Sequence, residues 1–250
     1  TEFWSDAIKT VKEKRSDFIF IAEAYWDLEW ELQQQGFNFT YDKRMTDRMR
    51  FGNVAGIRDH LYAGQIYQKK SVRFIENHDE TRALAALGKE REKAAAVIMS
   101  TVQGMKLFYD GQFEGKKIKL PVQLGREPIE PVVDDLKVFY NNILAITTRD
   151  VFKNGNWFLL KTESSWESNE SFNNLLAWQV VLENEKRIVV VNYSDIFSSC
   201  RIKLDMRGYP KEFILKDLLN GQNYTRSSDE VFIAGLYVEL KPWHSHVFSF

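Results

Sequence analysis

Residues 1–148 alternate between short apolar runs and helix-like stretches, and this alternation constrains the fold more than any other feature of the chain. The runs fall at residues 18–22, 37–40, 71–75 and 105–109. The first, Phe18-Ile19-Phe20-Ile21-Ala22, has no polar alternation, which predicts a strand buried on both faces, as in parallel sheets. Residues 2–15 set Phe3, Ile8 and Val11 on one side with charges between, as an amphipathic helix does. Asp27 is placed to cap a helix over 28–35 that Gly36 ends, and a long helical stretch follows, with breaks expected near Gly52 and Gly56. The alanine-rich segment from Lys89 closes at Gly104, and residues 134–146 give one more amphipathic helix. Strands separated by helices imply right-handed crossovers and a parallel sheet.

From about residue 150 the pattern changes. Residues 157–160, 175–182, 187–193, 212–216 and 235–240 are strand-like and joined by Asn, Gly and Ser turns. Asn184-Glu185 is placed as a hairpin turn and Asn220-Gly221 as another. Short strands in this order predict an all-β antiparallel sandwich, so the expected division is 1–148 and 149–250.

Composition removes several function classes. Lys+Arg number 34 against 35 for Asp+Glu, a net charge of -1, so there is no basic surplus to meet a phosphate backbone and no nucleic-acid partner is expected. No apolar run approaches the ~20 residues that span a bilayer, and nothing resembles a leader, so the expectation is a cytoplasmic chain with no membrane partner. The single cysteine, Cys200, excludes an intrachain disulfide. Aromatics make up 14 %, open to two readings: core packing, or stacking on the flat apolar faces of sugar rings.

Two strand ends carry the chemistry. In FIFIAEAYW, Glu23 leaves an apolar run just before Tyr25 and Trp26; in VRFIENHDETR, Asn77, His78 and Asp79 leave another. Burying a carboxylate costs several kcal/mol unless it is paired, so two such sites on one sheet edge suggest carboxylates facing one pocket. Glycoside hydrolysis needs that arrangement. The other reading is that these residues are helix N-caps. Glu76, His78 and Asp79 crowd one strand end too closely for a tidy metal site, and no metal ligand is assigned.

FIFIAEAYW resembles the fifth-strand motif of glycoside hydrolase family 13, the α-amylase family, and FIENHDETR its seventh-strand motif. GFNFTYDKRMTDRM is similar to the sixth-strand region, GMKLFYDGQFEG to the eighth strand and its loop, and GLYVELKPWHSHVFSF to the last strands of the following sandwich. The resemblance implies an α/β fold: half of a (β/α)8 barrel, strands five to eight with their helices, then the antiparallel sandwich. It implies a retaining hydrolase or transglycosidase acting on an α-glucan or maltooligosaccharide. Glu23 would be the acid/base with a raised pKa, and Asp79 a transition-state-stabilising carboxylate. His78 and Asn77 would bind substrate, with Tyr25 and Trp26 as walls of the acceptor side. Calcium is common in the family, with ligands in a region that has no counterpart here, so no cofactor is assigned. The family's nucleophile motif, Arg-x-Asp, is also absent from the 22 residues before Glu23, where Asp6 and Asp17 lie in and after a helix. The expectation is therefore half an active site, completed by the N-terminal half of the barrel from a longer polypeptide or another chain. The alternative is a non-catalytic amylase-like binding module.

Overall fold

The computed structural model describes residues 3–25, 27–123 and 126–250. Helix α1 (Phe3–Lys14) precedes strand β1 (Ile21–Ala22), and α2 (Glu29–Gln34) leads to β2 (Phe39–Tyr41). Helices α3 (Lys43–Phe51), α4 (Val54–Leu61) and α5 (Gln65–Lys69) connect to β3 (Ser71–Arg73). Next, α6 (Ala83–Leu87) and α7 (Lys89–Thr101) reach β4 (Met105–Lys106), followed by α8 (Asp134–Thr147) and α9 (Asp150–Asn154). The four strands pair in parallel in the order β1-β2-β3-β4. Parallel pairing brings every C-terminal strand end to one edge of the sheet, where functional groups collect in barrels.

Side-chain caps set the starts of two successive helices. Asp42 opens α3 by accepting from Met45 N at 3.1 Å, and Asn53 opens α4 by accepting from Gly56 N at 2.8 Å. Gly52 ends α3 at φ 69°, as expected. Gly56 breaks nothing, because Asn53 already caps the helix that contains it. At Gly104, φ is 107° and a Cβ would lie 2.2 Å from the Ser71 carbonyl oxygen, so only glycine passes there.

Two expectations fail at the start of the sheet. Asp27 is not a cap: its φ is 69°, Arg44 holds its carboxylate, and α2 begins at Glu29. The run 18–22 is not buried on both faces either. Only Ile21 and Ala22 join the ladder, and Phe18, Ile19 and Ile21 are 47, 55 and 43 % exposed. β1 is an edge strand with β2 as its one neighbour among the described residues, so its outer side lacks the cover a barrel gives.

The second part holds β5 (Asn156–Leu160), β6 (Thr162–Glu163), β7 (Leu175–Leu182), β8 (Glu185–Asn192) and β9 (Ser198–Ile202). It continues with β10 (Glu212–Asp217), β11 (Asn223–Ser227), helix α10 (Ser228–Ala234), β12 (Leu236–Leu240) and β13 (Ser245–Ser249). Helix α10, capped by Ser227, departs from the strand-only expectation. The β7–β8 turn is Glu183-Asn184, one residue earlier than expected. Antiparallel pairing gives a six-stranded sheet, β11-β10-β13-β8-β7-β5, and a three-stranded one, β12-β9-β6.

Strands β7 and β8 lack polar alternation because they face two cores at once. Leu175, Ala177, Ile188 and Val190 pack toward the three-stranded sheet. Their alternate neighbours Leu176, Trp178, Val189 and Val191 join the core that holds α7 and α8. Helix α7 is buried almost all round, with Ala94 to Met99 each at most 1 % exposed, because it lies between α8 and β8. Trp157 and Trp178 stack 6.3 Å apart inside this core, so they are packing residues and present no face to a sugar.

Candidate active site

Glu23 follows β1 directly, and Asn77, His78 and Asp79 lie a few residues past β3, so parallel pairing puts them at the same sheet edge. There, ligand atoms of Glu23, His78 and Asp79 all lie within 4.8 Å of one another. His78 Nε2 stands 3.5 Å from Glu23 Oε1 and 3.4 Å from Asp79 Oδ2. The Tyr25 hydroxyl donates to Glu23 Oε1 at 3.0 Å. Burial first, then the hydrogen bond to Glu23 and its charge, raises the Tyr25 hydroxyl's pKa, so it stays a donor at neutral pH. Asn77 is buried and shapes the loop: its Oδ1 accepts from the backbone of Asp79 and Glu80, both at 2.9 Å. Trp26 lies outside the described residues.

The cluster opens outward. The Glu23 and Asp79 side chains are 36 and 57 % exposed, more open than a buried acid/base. A cavity of about 450 Å³ borders Glu23 and is walled by Ile21, Tyr41, Val72 and Phe108 among others. Tyr41 was not singled out from sequence; it ends β2, and its hydroxyl pKa is raised by burial and then by the Glu23 and Asp79 charges. The strand end at residue 41 was the available signal.

Behind the loop, Glu76 turns away from His78 and Asp79. It pairs with Arg82 at 3.0 Å and accepts from Ala83 N, clasping the loop's far end, so the metal trio weighed from sequence does not assemble. The Arg82 guanidinium also donates to the Asp110 carbonyl at 2.7 Å, tying this loop to the one after β4. Calcium prefers an all-oxygen shell, which the Glu23–His78–Asp79 trio, the one such cluster among the described residues, does not offer.

Glu92 is buried 1 % exposed in α7, and burial pushes its pKa up to about 8. It accepts from Tyr140 OH at 2.8 Å, which in turn accepts from Gln112 at 2.9 Å. A carboxyl whose folded pKa is raised binds more protons folded than unfolded between pH ~4.5 and ~8, so its stabilisation is lost as pH rises through that window. The melting temperature should therefore fall between pH 5 and pH 9, and Glu92→Gln should flatten that fall by about 5 °C or more, measured by thermal scans. A wild-type profile that rises with pH and is unchanged by Glu92→Gln would contradict this.

No protein-family model and no curated relative matches the chain. Solved structures do. A noncanonic maltogenic alpha-amylase from Thermotoga neapolitana matches 99 % of this chain and 58 % of its own, with TM-score 0.77 and 20 % identity. An Anoxybacillus alpha-amylase matches 99 and 55 %, with TM-score 0.75 and 16 % identity. The alpha-amylase from Geobacillus thermoleovorans, complexed with acarbose, matches 99 and 56 %, with TM-score 0.76 and 14 % identity. The chain thus spans little more than half the length of these proteins. At this identity the likeness establishes architecture: the chain has the α-amylase fold, a half-barrel of parallel strands followed by an antiparallel β-sandwich.

Proposed function

We propose that the chain contributes the acid/base half of a retaining α-glucan-active glycoside hydrolase or transglycosidase, with the half-barrel at 1–148 and the sandwich at 149–250. The convergence of Glu23, His78 and Asp79 at the C-terminal edge of a parallel sheet carries this reading. Glu23 protonates the departing glycosidic oxygen and later takes a proton from the attacking water. The Asp79 carboxylate stabilises the oxocarbenium-like charge, while His78 donates to the same sugar. Tyr25 orients the Glu23 carboxyl, and Asn77 holds the backbone of Asp79. Trp26 is assigned to the acceptor wall from its place in the motif alone. An acarbose complex in a protein of this fold supports an oligosaccharide ligand.

The nucleophile stands on strands one to four of the barrel, supplied in cis or by a second chain. The exposed apolar side chains of Phe18, Ile19, Ile21 and Met105 on the two edge strands and the run before them support this, since a second half-barrel would cover them. The test is hydrolysis of maltooligosaccharides, with product anomers followed by NMR. The 250-residue chain alone should show no turnover, and the completed barrel should release the α-anomer first. Robust turnover by the chain alone, or initial β-anomer from the completed barrel, would sink the proposal.

A further inference from the structure

Between α2 and α5 lies a cavity of about 650 Å³ that Glu23 does not border. Its walls include the flat side chains of Trp30, 50 % exposed, and Tyr67, their ring centroids 6.5 Å apart. Ile66, 66 % exposed, adds apolar surface. Glu29 also lines it, and this carboxylate is 5 % exposed with no hydrogen bond or ion pair among the described residues. Its neighbours are taken. Arg44 is held by Asp27, and the ring nitrogens of His60 are used by Arg48 at 3.1 Å and Asp42 at 2.7 Å. With no protein donor bound among the described residues and its residue lining the cavity, the Glu29 carboxylate is free to accept from hydroxyl groups of a ligand seated there.

We infer that this cavity is a second carbohydrate-binding site, taking one glucosyl unit of an α-glucan with its apolar face on Trp30 and its hydroxyls donating to Glu29. An aromatic face beside an acceptor-only carboxylate fits a ligand that is flat and apolar on one side and rich in hydroxyl donors at its rim. Continuity supports the choice of polymer. Asp27, Glu29 and Arg44 also wall a hollow of about 400 Å³ that borders Tyr25 and Asp79, so one surface leads from the candidate active site to Trp30. The identity of the sugar as glucose rests on the proposed function; the existence of the site does not.

The test is titration of the 250-residue chain with maltotriose, followed by tryptophan fluorescence and by line broadening of the sugar's NMR signals. Saturable binding is expected. Trp30→Ala and Glu29→Gln should each weaken it about tenfold or more, and Glu23→Gln should leave it unchanged. Melting curves show that each variant is folded; Trp30 is half exposed, and Glu29→Gln keeps the side chain's shape. The inference is overturned by absence of saturable binding, or by binding lost in Glu23→Gln but kept in the other two variants. Tighter binding of tetramethylammonium than of maltotriose would overturn the assignment to a sugar. Because the readout is binding, a barrel that binds here but cleaves nothing would refute the proposed activity and leave this site standing.

Discussion

In the completed barrel, Glu23→Gln should lower kcat on maltooligosaccharides by about 10³-fold, while the loss on α-maltosyl fluoride should be far smaller. The difference follows from the leaving group. A sugar alkoxide departs only if protonated, whereas fluoride leaves as a weakly basic anion and needs no acid. Glutamine keeps the shape of the side chain and can still accept from Tyr25 OH, which stands 3.0 Å from Glu23 Oε1. Azide, a nucleophile that needs no general base, should restore turnover of the fluoride by replacing water in the second step. Asp79→Asn should behave differently, with comparable losses on both substrates, because transition-state charge develops whichever group leaves. Equal losses on both substrates for Glu23→Gln, with no azide rescue, would remove Glu23 from proton transfer. The measurement is steady-state kinetics on the two substrates, with melting curves to show that both variants fold.

The cluster at this sheet edge was legible in sequence because its physics is local. A charged residue one step past an apolar run is conspicuous, and two such steps on parallel strands must meet at one edge. The same logic put Glu23 with His78 and Asp79 but did not say where Glu76, one residue earlier than Asn77, would turn. Strand pleat and loop direction turn Glu76 inward to Arg82, and no periodicity announces that turn. The exposed run at 18–21 was misread for a related reason. Apolar composition records what a side chain is suited to meet, and Phe18, Ile19 and Ile21 keep that composition although about half of each stays exposed. Asp27 was misread because capping depends on φ, which sequence does not carry. Strands β7 and β8 were located well, yet their division between two cores appears only once the sheets and helices are stacked. Glu29 escaped notice because a glutamate at the start of a helix is ordinary; only its burial without a donor makes it unusual.

Asp42→Leu should lower the melting temperature by about 10 °C or more, and Asp42→Leu combined with Arg73→Met should recover a large part of that loss. Asp42 is 1 % exposed and serves three partners. Its Oδ1 caps α3 through Met45 N at 3.1 Å, while its Oδ2 meets the His60 ring at 2.7 Å and the Arg73 guanidinium. Arg73, also 1 % exposed, has its pKa lowered to about 9 by burial, so it remains charged at neutral pH. Removing Asp42 leaves that charge with the Gln68 side chain and the Gln103 carbonyl, neither of them anionic. Breaking one side of a buried ion pair costs about 3–5 kcal/mol, whereas replacing both sides with apolar groups is often close to neutral. The double variant should still fall short of the wild type, because the α3 cap and the His60 contact are lost with Asp42. Additive effects of the two single variants in a double-mutant cycle would mean that the pair is not coupled and that the arrangement is wrong. The network joins the end of β2, the strand β3 and helix α4, so it fixes the sheet from which Asn77, His78 and Asp79 emerge. In the completed barrel, activity lost in Asp42→Leu should therefore follow the folded fraction on heating, with the pH profile of the surviving molecules unchanged.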